Sequence, residues 1–212
     1  MRLRQILHKC ASGLLILGLF ALPPALAQTK EAPDIGRLER GRKEVTALPQ
    51  AEVAPRALKT GDSVFQNDTV RTGKDARAEL RLADETSLVM GEKAEVLLDQ
   101  FIYDKDGDAV INLAAGALRF ISGKTGHPGE LTIKTPVATI GVRGTDFWAG
   151  PIDGVYGVLL LSGEVEVSNP GGSVTLDVPG AGTLISGGDV APGSAAPWPD
   201  DRRVRALNQT DF

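Results

Sequence analysis

Between residues 57 and 188 the chain alternates apolar and polar side chains in short runs. In Ala76-Arg77-Ala78-Glu79-Leu80-Arg81-Leu82 every second residue is apolar and those between are charged. Leu131-Thr132-Ile133-Lys134, Glu164-Val165-Glu166-Val167 and Ser173-Val174-Thr175-Leu176-Asp177-Val178 alternate in the same way. A strand sends successive side chains to opposite faces, so this period of two predicts strands with one buried face. Turn-forming residues punctuate the runs at Asn67-Asp68, Gly73-Lys74, Ala83-Asp84-Glu85, Asp106-Gly107, Gly123–Gly129, Pro151–Gly154 and Asn169–Gly172. About a dozen short strands result, with no helical pattern long enough to cross over between parallel strands. The expected fold is all-β: one twisted domain, sandwich-like (jelly-roll-like), barrel-like or an irregular solenoid. No repeat of fixed length supports a regular β-helix. Gly141, Gly144 and Gly157 fall inside strand-like runs and predict bulges or close backbone approaches.

The flanks read differently. Residues 28–56 are polar, broken by Pro33, Pro49 and Pro55, and show no sustained period. They are expected to be an exposed spacer, with at most a short helix around Leu38–Val45. Residues 189–212 begin as a linker rich in Pro, Gly and Ala, then become a charged tail with room for one helical turn. Trp198, between two prolines, is equally compatible with docking and with exposure.

The first 27 residues have a basic start (Arg2, Arg4, Lys9), an apolar run from Ala11 to Leu22, and Ala25-Leu26-Ala27 before Gln28. These are the three regions of a secretory signal peptide. The run is too short for a hydrocarbon layer that needs about 20 residues, so cleavage after Ala27 is expected, leaving a periplasmic chain that spans no membrane. Cys10, the sole cysteine, precedes the apolar run rather than closing it, which argues against lipidation. Without residues 1–27 no disulfide can form, and the fold must rest on packing.

Charge narrows the partners. The whole chain has 23 Lys and Arg against 27 Asp and Glu, and the three basic residues of the signal leave 20 against 27. That acidic balance argues against a nucleic-acid partner.

Catalytic chemistry is sparsely supplied. Beyond the signal the only histidine is His127, in the loop-like Thr125-Gly126-His127-Pro128-Gly129, and no serine sits on a Gly-x-Ser-x-Gly elbow. Zinc lacks enough Cys and His ligands, and both glycine-rich nucleotide fingerprints are missing. Asp104-Lys105-Asp106-Gly107-Asp108 opens like a calcium loop, but its twelfth position is Ala115 rather than Glu, so a tight turn joining Phe101–Tyr103 to Val110–Leu113 is the better reading. No cofactor or metal is expected. Scattered carboxylates keep a paired-carboxylate hydrolase as an alternative.

The most distinctive segment is Ile133 to Phe147. It reads as a strand, a kink at Gly141, an Arg143-Gly144 corner where Arg143 and Asp146 could meet, and a second strand. This stretch carries a resemblance to the FecR-domain family of bacterial envelope proteins. Gly61–Phe65 and Asn67–Gly73 resemble the family's opening D-x-V-x-T-G phrase, Ala76–Leu88 its A-x-L-x-F-x-D-G-T-x-L strand pair, and Gly116–Phe120 its following strand. Thr135, Pro136, Thr139, Gly141, Arg143, Gly144, Thr145, Asp146 and Phe147 stand in its most specific motif. Asp84-Glu85-Thr86 replaces the family's Asp-Gly-Thr, so a different hairpin turn is expected there. The resemblance implies a non-enzymatic binding or scaffold module for an envelope protein or polymer, or a sensor of a signal or small solute. Relatives that regulate sigma factors carry a cytoplasmic segment and a membrane helix ahead of this domain. Here a signal peptide is expected instead.

Overall fold

The computed structural model describes residues 32–50, 52–101, 108–123 and 130–212. The expected signal peptide, Cys10, His127 and most of the calcium-like run lie outside the described residues. In chain order the elements are β1 (Asp34–Arg42), β2 (Val45–Leu48), β3 (Arg56–Ala57), β4 (Ser63–Phe65), β5 (Thr69–Thr72), β6 (Arg77–Leu82), β7 (Ser87–Met90), β8 (Glu95–Phe101), β9 (Ala109–Ala115), β10 (Leu118–Ile121), β11 (Leu131–Lys134), β12 (Thr139–Ile152), β13 (Val155–Asn169), β14 (Gly172–Leu176), β15 (Ala181–Ile185), β16 (Ala196–Pro197) and α1 (Asp200–Asn208). The fold is all-β. The expected dozen strands between residues 57 and 188 are β4 to β15.

One long hairpin organises the rest. β12 and β13 pair antiparallel from Ile152 opposite Val155 at the tip to Thr139 opposite Ser168 at the far end. The outer edge of β12 is shared: β11 takes Thr139–Val142 and β10 takes Asp146–Ala149. β14 and β15 divide the outer edge of β13 likewise. The ladder is one continuous sheet of 16 strands whose two parts, here called the first and second sheets, join through the hairpin. The first runs β3-β2-β5-β8-β9-β11 onto the far end of the hairpin, with β14 beyond. The second runs β4-β1-β6-β7-β10 onto the tip end, with β15 and β16 beyond. Before the hairpin the chain crosses repeatedly between the sheets, a solenoid-like winding. The sheet curls so that one apolar cluster draws on both parts: Val70, Val96, Ile133 and Val167 from the first, Leu80, Leu118, Phe120 and Val158 from the second.

Two expectations about the flanks are corrected. The segment expected as spacer forms β1, β2 and the start of β3, and no helix occurs at Leu38–Val45. Ile35, Leu38, Val45 and Ala47 are all buried in the common core. The period of two was hidden by register shifts in β1, between Asp34 and Gly36 and between Leu38 and Arg40. Such bulges let Ile35 and Leu38, three apart, point the same way.

The linker and tail are also structured. Ala196-Pro197 pairs with the edge of β15, a place where a residue without an N–H is tolerated. Trp198 docks, with 5 % of its surface exposed, and meets Trp148 edge-on at 6.2 Å between ring centres. A Cβ on Gly182 would stand 2.6 Å from the Trp198 ring, so only glycine leaves room for it. α1 follows, with Asp200 and Asp201 in its first turn, where the helix dipole favours acids. It lays Ala206 and Leu207 against the apolar group of Ala117, Trp148, Ile152 and Leu159 on the outer face of the second sheet.

The Ala83–Thr86 hairpin turn forms without a glycine. Glu85 holds the left-handed conformation, φ 66°, that glycine would adopt at no cost. Asp84 fixes it by accepting hydrogen bonds from the Thr86 N–H and hydroxyl, both at 2.8 Å.

Candidate functional site

The distinctive segment lies where β12 passes from one sheet to the other. It begins in the turn after β11. Thr135 closes that turn: its hydroxyl donates to the Ala138 carbonyl at 2.8 Å and accepts from the Ala138 N–H at 3.0 Å. Pro136 and Thr139 are exposed beside it. Gly141 is no kink. It pairs in register with Glu166, and a Cβ there would meet nothing closer than 4.0 Å.

The bend comes three residues later. Register slips between Arg143 and Asp146, where Gly144 takes φ 57°. β13 bends at the same level, at Gly163 with φ 81°. A Cβ on Gly163 would lie 2.4 Å from the Gly144 carbonyl oxygen, so the two strands approach backbone to backbone. Thr145, 2 % exposed, pins the bend. Its hydroxyl donates to the Glu164 carbonyl at 2.7 Å, and its N–H donates to the Ser122 hydroxyl at 2.8 Å. Phe147 is wholly buried against its cross-strand partner Phe120, ring centres 5.5 Å apart.

Arg143 and Asp146 do not meet. Beyond the bend Asp146 faces outward on the second sheet, opposite Ile121. Its partner is the diagonal neighbour Arg119, whose Nε and Nη2 donate to the two carboxylate oxygens at 3.0 and 2.8 Å. That hydrogen bond raises the Arg119 pKa above its ordinary value, against the opposing pull of burial. Arg143 stays on the near side of the bend, exposed, and makes no ion pair among the described residues.

Arg143 instead lines a cavity of about 500 Å³, in the gap where β10 and β11 part along β12. Thr86, Ser122, Glu130, Glu164 and Glu166 complete its polar wall, with Leu131 and Val142 beneath. Glu164 and Glu166 are solvent-exposed, whereas a carboxylate acting as general acid needs a desolvated setting. Among the described residues no cluster of His, Cys, Asp or Glu could hold a metal ion. No helix among them is long and apolar enough to cross a membrane.

The motif thus divides. Gly144, Thr145, Asp146 and Phe147 build the bend and Thr135 closes the turn before it; Arg143, Thr139 and Pro136 face solvent. Sequence reasoning missed three contributors. Arg119 and Ser122 lie more than twenty residues from their partners and carry no local signal. Gly163 had one, being a glycine inside the Leu159–Val167 run.

No curated protein matches the chain. Among solved structures, two of a candidate anti-sigma factor from Parabacteroides distasonis ATCC 8503, at 2.50 and 1.65 Å resolution, share the fold. Each has a TM-score of 0.53 and 14 % identity over 66 % of this chain. The match spans 63 % and 64 % of those chains, under two thirds of their length. A family model described as FecR protein matches residues 68–166, from the turn before β5 to Glu166. That stretch, which holds the bend, its two glycines and the cavity wall, is where the chain is similar to the FecR domain.

Proposed function

We propose that this is an exported, non-enzymatic binding module that receives another envelope component at the cavity beside the bend, in the service of signal sensing. The observation that carries the reading is Arg143. It is the one cationic residue of the family motif, it stands exposed at the cavity, and the fold makes no ion-pair use of it among the described residues. The similarity to the FecR domain and the likeness to candidate anti-sigma factors support a sensing role. The expected signal peptide supports the location.

The test pairs two substitutions. Arg143→Ala should leave the denaturation midpoint unchanged and abolish crosslinked capture of a partner from envelope fractions. Asp146→Ala should lower the midpoint, because it strands Arg119. Should Arg143→Ala lower stability and leave capture intact, the cavity is not the binding site. A second reading, a carboxylate hydrolase, draws on Glu130, Glu164 and Glu166 lining one cavity. Release of fragments from purified wall or capsule polymer, lost in Glu164→Gln, would establish it instead.

A further inference from the structure

The outer face of the second sheet has two parts. Near the hairpin tip it is apolar and covered by Trp198 and α1. Over β1, β6 and β10 it concentrates arginine, above buried Ser87 and Val89 of β7 and beside the C-terminal residues 208–212. Leu38, Ala78, Leu80, Leu118 and Phe120 point into the core, which turns Arg37, Arg40, Arg42, Arg77, Arg81 and Arg119 outward. Register sets Arg37 opposite Arg81 and Arg42 opposite Arg77, with Arg40 opposite Glu79 between them. Like charges directly opposite are destabilising, so the fold itself gains nothing from this arrangement.

Two carboxylates of this face, Glu79 and Asp146, lie beneath guanidiniums. Glu79 has a side chain 9 % exposed, under Arg40 at 2.7 Å and Arg81 at 3.7 Å, while the Arg40 side chain is 58 % exposed. Asp146 is held by Arg119 and Glu39 by Arg37. Arg77 donates to the backbone carbonyls of Asn208 and Asp211. Six guanidiniums thus face Glu39, Glu79, Asp146 and Asp211, with Asp75, bonded to Lys43, near Arg42 and Arg77, so the face is net cationic on a chain whose formal charge is −4.

Phe212 stands among these cations, and α1 adds an exposed apolar residue beside the face. Phe212, 40 % exposed, lies 4.2 Å from the Arg40 guanidinium, and Val204, 55 % exposed, is on the side of α1 away from buried Ala206. A cavity of about 340 Å³ opens nearby, with Arg77, Lys93, Arg205 and the single carboxylate Glu92 in its wall. Guanidinium forks match phosphate oxygens in pairs, and a face mixing basic with exposed apolar groups suits a lipid headgroup layer. A soluble polyanion would leave Val204 and Phe212 unused.

We propose that this face is a peripheral contact surface for anionic phospholipid, its arginines engaging headgroup phosphates. The proposal concerns a face separate from the Arg143 cavity and stands independently of it. The test is co-sedimentation of the exported protein with vesicles of phosphatidylglycerol mixed into phosphatidylcholine, against phosphatidylcholine alone. Binding should require phosphatidylglycerol and vanish near 1 M salt, where the screening length is about 3 Å. Arg37→Gln with Arg42→Gln should weaken it about 25-fold, at about fivefold per cation near an anionic surface. The corresponding double lysine variant should retain binding, and Arg143→Gln should leave it unchanged. A melt of the double glutamine variant at or above the parent's midpoint excludes misfolding as the cause. Equal binding to both vesicle types, no binding to either, or undiminished binding by the double glutamine variant would overturn the proposal. So would arginine-dependent binding confined to polyglutamate, which would make the partner an acidic protein segment.

Discussion

Asp146 shows what a single carboxylate does at this bend. Its two oxygens take two donors from Arg119, and the side chains are 19 % and 31 % exposed, so the pair is sheltered without being fully buried. Removing either partner leaves the other's charge half-desolvated, a loss of about 1–2 kcal/mol. Arg119→Ala and Asp146→Ala should each lower the denaturation midpoint by that amount, and the double variant by less than the sum, read from a double-mutant cycle in denaturant. Glu85 makes the opposite case. An L-residue at φ 66° bears a steric cost that glycine does not, so Glu85→Gly should stabilise the protein by about 1 kcal/mol in the same assay. Here the family pattern was legible: it marked the position as one for glycine, and the chain holds glycine's conformation without the glycine. The partner of Asp146 was not legible, because strand pairing brings Arg119 to it from 27 residues away.

Among the elements, strands with strict alternation were readable from the sequence alone. β6 and β11 occupy the positions that period two assigned to them. β1 was not readable, since its two register shifts erase the period over which a strand is recognised. The C-terminal segment failed for a different reason. Proline and glycine mark a linker by composition, but they also suit an edge strand and the floor of an aromatic slot. Trp198 should therefore behave as a core residue: Trp198→Ala is expected to cost about 3 kcal/mol or more in a denaturant melt. It should also remove the near-ultraviolet circular dichroism of the Trp148–Trp198 pair. Gly182→Ala should reproduce part of that loss, because the added methyl contests the space of the indole.

At the scale of the molecule, export and fold fit together. Cleavage after Ala27 would leave residues 28–33 ahead of β1, so processing would keep every strand of the described residues. Intact mass of the exported protein should begin at Gln28, and its strand-dominated circular dichroism should not change with reductant; a retained Met1 would refute the processing. The shared hairpin has a further meaning in time. Residues 139–169 can close on themselves before any distant segment arrives, and loop closure is cheapest for such local contacts. β1 must wait for β6, some forty residues on, and β5 must find β8. The hairpin is then the template to which both sheets are added, so core substitutions in it should slow refolding, whereas those in β1 should chiefly speed unfolding. Stopped-flow refolding of Val158→Ala against Leu38→Ala would read that order, and it makes the bend at Gly144 and Gly163 the point at which one nascent ribbon becomes the seed of two sheets.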